Sequence, residues 1–112
     1  MILDATTKSV EILLDGAITT NQLPFTVGYV DVDQTTFAMT AVTEADGVTN
    51  DTTPVVVVSA PAAGKSRQIK FLSVFNKDTT TAVVTLQVNI SGTKRIVIKV
   101  ALAVGDNLSY VG

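Results

Sequence analysis

Thr81-Ala82-Val83-Val84-Thr85-Leu86-Gln87-Val88-Asn89-Ile90, a Ser91-Gly92 turn, and then Thr93-Lys94-Arg95-Ile96-Val97-Ile98-Lys99-Val100-Ala101-Leu102 form the stretch that decides the fold. Apolar residues fall at every second position on both sides of the turn. Ala82, Val84, Leu86, Val88 and Ile90 share one face, and Ile96, Ile98, Val100 and Leu102 continue it after the turn. Successive strand side chains point to opposite sides, so this period of two predicts a hairpin with one buried face. The other face carries Thr81, Thr85, Gln87, Asn89, Arg95 and Lys99, with Val83 and Val97 as its apolar exceptions. None of these is a general base near neutral pH or a soft metal ligand.

The rest of the chain supports an all-β class. Valine and threonine make up nearly a third of the residues, and their branched Cβ suits a pleated strand better than a helix. Period two and turn signals mark Ser9 to Leu14, closed by Asp15-Gly16, and Phe25 to Asp33, with Ala17 to Pro24 as a polar connection between them. Further strands are expected at Thr36 to Val42, Thr53 to Ala60, Arg67 to Asn76 and Asn107 to Val111. Glu44-Ala45-Asp46-Gly47 and Gly105-Asp106 read as turns. About eight short strands at regular spacing predict a single β-sandwich, jelly-roll-like, over residues 9–112. The first eight residues have only Ile2 and Leu3 as strong apolar anchors, and residues 1–8 are expected to be an extended arm reaching a neighbouring subunit. No internal sequence repeat stands out.

Composition bounds the function. The chain has 112 residues, 46% hydrophobic and 16% charged, with a net charge of −2. It holds enough apolar material for one core with a surplus that favours a homo-oligomer. Nucleic acid is not an expected partner, because phosphate binding needs clustered Lys and Arg. No apolar run approaches the roughly 20 residues of a membrane-spanning helix, and Met1 to Lys8 does not resemble a secretory signal. Cysteine and histidine are absent, which removes disulfides, thiolate and imidazole metal sites and Ser-His nucleophilic pairs. Gly64-Lys65-Ser66 ends like a phosphate-binding loop but has Ser59 where that motif needs glycine. Asp31 and Asp33, two apart on a strand, share one face and read as a solvated face. Asn50, Asn89 and Asn107 open glycosylation-type triplets and read as turn and strand polar residues. No catalytic residue, cofactor or metal is expected.

Two strands look buried on both faces. Val55, Val56, Val57 and Val58 leave neither side polar, and Phe71, Leu72, Val74 and Phe75 nearly repeat this. Either these are central strands with scattered surface residues, or a second subunit covers them. The second reading makes Ile2, Leu3, Val55, Val56, Val57, Val58, Leu72 and Val74 the candidate interface.

Ile2 to Leu14, Gly16 to Pro24, Arg67 to Asn76 with Asp78, and Gly105-Asp106 before Tyr110 together resemble small virion structural proteins of tailed bacteriophages. The resemblance covers most of the chain and brings no active site. It implies a capsid decoration (cement) protein on the outer capsid surface of the virion, made in the bacterial host cytoplasm and bound to the major capsid protein, as a trimer. A head-fibre or tail-fibre module is the alternative it leaves open. A carbohydrate-binding domain is a third reading, for which the sugar-stacking aromatics are missing.

Overall fold

A computed structural model describes residues 1–112. Nine strands follow one another: β1 (Ile2–Leu3), β2 (Lys8–Leu14), β3 (Pro24–Asp33), β4 (Thr43–Val48), β5 (Val55–Val58), β6 (Lys65–Phe75), β7 (Ala82–Ile90), β8 (Thr93–Leu102) and β9 (Asn107–Val111). All pairings are antiparallel. One sheet, the first, runs β4-β3-β6, with β9 and β1 both on the far edge of β6. The second sheet runs β5-β2-β7-β8. The layers pack as the predicted β-sandwich, the eight longer strands divided four and four.

The path contains a repeat that the sequence does not show. Advancing each strand of β2–β9 by four places turns the order β5-β2-β7-β8 into β9-β6-β3-β4, which is the other sheet. Each half therefore gives its two middle strands to one sheet and its first and last strands to the other. The halves interlock, so neither buries its apolar face alone.

Between the sheets lie Val10, Ile12 and Leu14 of β2, Phe25 and Val27 of β3, Ile69, Leu72 and Val74 of β6, and Val84 and Leu86 of β7, joined by Leu3, Leu23, Val57, Val58, Ala82 and Leu102. Each Val, Leu or Ile removed from water here contributes about 1.5–3 kcal/mol. The central hairpin forms as predicted, with Ser91 and Gly92 both at positive φ (51° and 92°), the geometry that matches strand twist in a two-residue turn.

Three β-bulges explain where the alternation misleads. Opposite Leu86 and Gln87, the extra residue Val97 lies between Ile96 and Ile98 in the ladder. One extra residue inverts the side chains beyond it. Ile98 and Val100 accordingly pack against the core, whereas Ile96, expected in the core, points outward and is 63% exposed. In β5, Val58 pairs with Val10 and Val56 with Glu11, leaving Val57 as the bulge. Val57 and Val58 are buried and Val55 packs against the core, so only Val56 is exposed. In β6, Lys70 is the bulge, so Ile69 and Leu72, three apart, both face inward and Phe71 faces out. The covering layer over five of the eight candidate interface residues, Leu3, Val57, Val58, Leu72 and Val74, is thus the opposite sheet of the same chain.

Two expected elements exchange places. Thr36 to Val42, expected as a strand, is an exposed loop with one isolated bridge, Val32 to Met39. Glu44-Ala45-Asp46-Gly47, expected as a turn, lies inside edge strand β4. Its alternation is real but weak, because the inward residues are small: Ala45 packs on the core and Gly47 receives the Phe25 ring, which a Cβ there would meet at 2.7 Å. The first residues also differ from a free arm. Ile2 and Leu3 pair with Gln68 and Arg67 of the chain's own β6, and Leu3 is 1% exposed.

Candidate interaction surfaces

A sandwich has two outer faces, and here they differ in kind. On the second sheet the outward residues of β2 and β7 are Ser9, Glu11, Leu13, Thr85, Gln87 and Asn89. Glu11 is buried on this face and accepts hydrogen bonds from Gln87 Nε2 (3.0 Å), Asn89 Nδ2 (3.3 Å) and Lys94 Nζ (2.7 Å). Burial pushes its carboxyl up, but the bonds from Lys94, Gln87 and Asn89 outweigh that and hold it below its ordinary value. Lys99 pairs with Asp15 nearby. The polar centre of the face satisfies itself, and the exposed apolar residues of this sheet are at its margins, Val56 on β5 and Ile96 with Val97 on β8.

The outward side of the first sheet is different. By register its rows are Val48, Pro24, Phe75 and Asn107; then Asp46, Thr26, Ser73 and Ser109; then Glu44, Gly28, Phe71 and Val111; then Val30, Gln68 and Ile2. Ile2, Val48, Phe75 and Val111 are exposed, Val111 by 82%. Val30 and Val32 are buried yet lie outside the inter-sheet core. Phe71 lies across Gly28, where an added Cβ would come within 2.2 Å of the ring. Glycine is required at this site because the aromatic of the neighbouring strand occupies its side-chain space.

Beside this face stands a built loop, Gln34 to Val42, that carries no charge. Asp33 Oδ1 accepts from the amides of Thr35 and Thr36, both at 2.9 Å, its Oδ2 from Lys65 Nζ at 3.0 Å, and its carbonyl from Phe37 N at 2.8 Å. The Thr36 amide, with Lys65 and the Thr35 amide, holds the Asp33 carboxyl far below its ordinary 3.8. At the tip Phe37 has φ 61° and is 74% exposed. A bulky residue in the left-handed region costs on the order of 1 kcal/mol. Met39 and Val42 are exposed on the same loop.

Asp31, Asp33, Asp51 and Asp78 are structural. Asp31 bonds Arg67 Nε at 2.8 Å, and Arg67 also donates to the Ser59 carbonyl and hydroxyl while lying 4.4 Å over the Tyr29 ring. Asp31 and Asp33 therefore each have their own cation instead of the solvated face expected. At the opposite end, Asp78 accepts from the amides of Thr19, Thr20, Asn21 and Thr79, and those bonds, the Thr19 amide first, keep it ionised well below its ordinary value. Asp51 takes Ile18 N and Gln22 Nε2. These two carboxylates fasten the loop between β2 and β3. No three of His, Cys, Asp or Glu converge to hold a metal ion.

Of the eight interface candidates, only Ile2 and Val56 present exposed side chains, and they lie on different sheets. The sequence reading missed Phe37, Met39 and Val111. An uncharged Gln34–Val42 run behind an Asp-Gln-Thr-Thr turn was the available signal. No protein-family model matches the chain, and neither a curated protein nor a solved structure does.

Proposed function

We propose that this chain is a non-enzymatic structural protein of a phage virion, a decoration protein that binds the major capsid protein on the outer shell and stabilises it as a homo-oligomer, a trimer. The observation that supports this reading is the asymmetry of the two outer faces. The face with Ile2, Phe75 and Val111 leaves apolar surface in water beside the Phe37 loop, and exposed apolar patches of this kind mark association surfaces. The opposite face is hydrogen-bonded within the chain and suits the solvent side. Each copy adds a modest apolar contact, and a trimer engaging three neighbouring shell subunits converts weak contacts into firm attachment. The resemblance of Ile2 to Leu14 and Arg67 to Asn76 to virion proteins supplies the partner.

Mass spectrometry of purified virions, with copy number set against the major capsid protein, tests the reading. A near-stoichiometric ratio is expected. A handful of copies per particle replaces decoration with the fibre role, and absence from virions overturns both.

A further inference from the structure

The free edges of the sandwich carry opposite charges. The first sheet ends at β4, which presents Glu44 and Asp46; the second ends at β8, where Lys94 and Lys99 are paired with Glu11 and Asp15 and Arg95 is free. The chain's five salt bridges leave Glu44, Asp46 and Arg95 without partners. Both strands are largely exposed. Each edge strand shows an unpaired row of backbone N–H and C=O groups to solvent, a template for another strand. The remaining edges suit this less: β5 is four residues long, and the edge beyond β6 is split between two short strands, β9 and β1, that meet end to end at Gly112 and Met1.

We propose that β4 of one copy pairs edge to edge with β8 of a second copy of this chain. Like charges oppose β4 on β4 and β8 on β8, and the bulge at Val97 further discourages β8 from pairing with itself. Arg95 opposite Glu44 and Asp46 favours the mixed contact. β4 packs beside β5, and β5 is the margin of the second sheet farthest from β8, so the two edges lie on opposite sides of the sandwich. The contact is therefore head to tail and builds a ring where the rotation closes. Six residues of β4 span roughly 20 Å of ladder. The proposal supplies a contact for the oligomer of the proposed function but needs no virion partner, so its failure removes this contact and leaves attachment to the capsid standing.

Sedimentation velocity of the purified chain across concentration and salt tests this. Association at low salt that weakens as salt rises is expected. Variants E44K/D46K and R95E each weaken association at least about tenfold, and mixing the two restores it as alternating, even-numbered assemblies, because each then offers an edge complementary to the other. On assembly of the unmodified chain, hydrogen exchange slows in β4 and β8 and not in β5 or β9. A chain that stays monomeric at low salt, reversed variants that are folded yet associate like the original, a mixture that stays dissociated, or protection on other strands overturns the proposal.

Discussion

The two outer faces are built from strands of similar length and the same path, yet one is finished and the other is open. On the second sheet, Glu11 gathers Gln87, Asn89 and Lys94, so a buried carboxylate is fully paired and the polar atoms around it need no partner. On the first sheet, Phe71 covers Gly28, but Ile2, Phe75 and Val111 have nothing above them. The comparison teaches that alternation alone does not separate a solvent face from a docking face. What separates them is whether the outward residues satisfy one another.

The definition of the open face rests on the bulge at Lys70, and reversing the faces it sets should have the largest effect. The extra residue is what turns Ile69 in and Gln68 out, so exchanging the two, Gln68→Ile with Ile69→Gln, places an amide in the core and an isoleucine on the open face. A loss above about 4 kcal/mol, or failure to fold, is expected. Lys70→Ala keeps the backbone and should stay within about 0.5 kcal/mol. Urea unfolding of both proteins checks this; equal stability of the exchange would show that the bulge does not set the faces.

How much of this was legible follows from the same feature. Where strands alternate without interruption, as in Val10, Ile12 and Leu14 or Ala82, Val84 and Leu86, the inward residues could be read directly. At Val97, Val57 and Lys70 the ladder gains a residue, and nothing in the residue types announces it. A run of four valines looks two-sided whether a partner covers it or a bulge turns it. β4 was misread because Ala45 and Gly47 carry too little apolar surface to show a period, and their inward role depends on Phe25, more than twenty positions earlier. The β1 strand is invisible for a related reason, since two residues have no period. The absence of a His- or Cys-based site was legible in composition, whereas the open face required knowing which strands are neighbours.

The finished face should lose stability when its centre is removed. Glu11→Ala leaves Gln87, Asn89 and Lys94 without their acceptor and should cost about 1–3 kcal/mol by chemical denaturation, with no change in shell binding. A neutral result would mean that water replaces the carboxylate without penalty, and the face would not be self-satisfied in the sense argued.

Acid should act on the end of the molecule that both faces share. Asp78 is depressed in the folded state below its ordinary 3.8, first by the Thr19 amide. A depressed folded value means that the unfolded chain binds the proton more readily, so this contribution is complete above about pH 4–5 and is lost as pH falls from there toward the folded value. Asp51 and Asp33 act in the same direction. Asp78→Asn should lower the melting temperature at pH 7 and flatten its fall between about pH 4 and pH 2. An unchanged acid slope would assign the acid sensitivity to other carboxylates.

The smallest effect on stability should accompany the clearest effect on function, and it falls on the open face. Phe75 and Val111 are exposed and make no contribution to the inter-sheet core, so Phe75→Ser with Val111→Ser should change stability by no more than about 0.5 kcal/mol each. On the proposed reading, shell attachment draws on the water these side chains release. Losing two apolar contacts at roughly 1–2 kcal/mol apiece predicts a drop in affinity of at least tenfold per copy, and more for an oligomer that binds through several copies at once. Co-sedimentation with shells stripped of this protein gives the measurement. Ile96→Ser on the finished face is the matched control, because it removes a side chain that is just as exposed from a surface assigned to solvent. Equal losses from the two faces would erase the distinction between them, and full binding by the double variant would move the docking surface to the Phe37 loop.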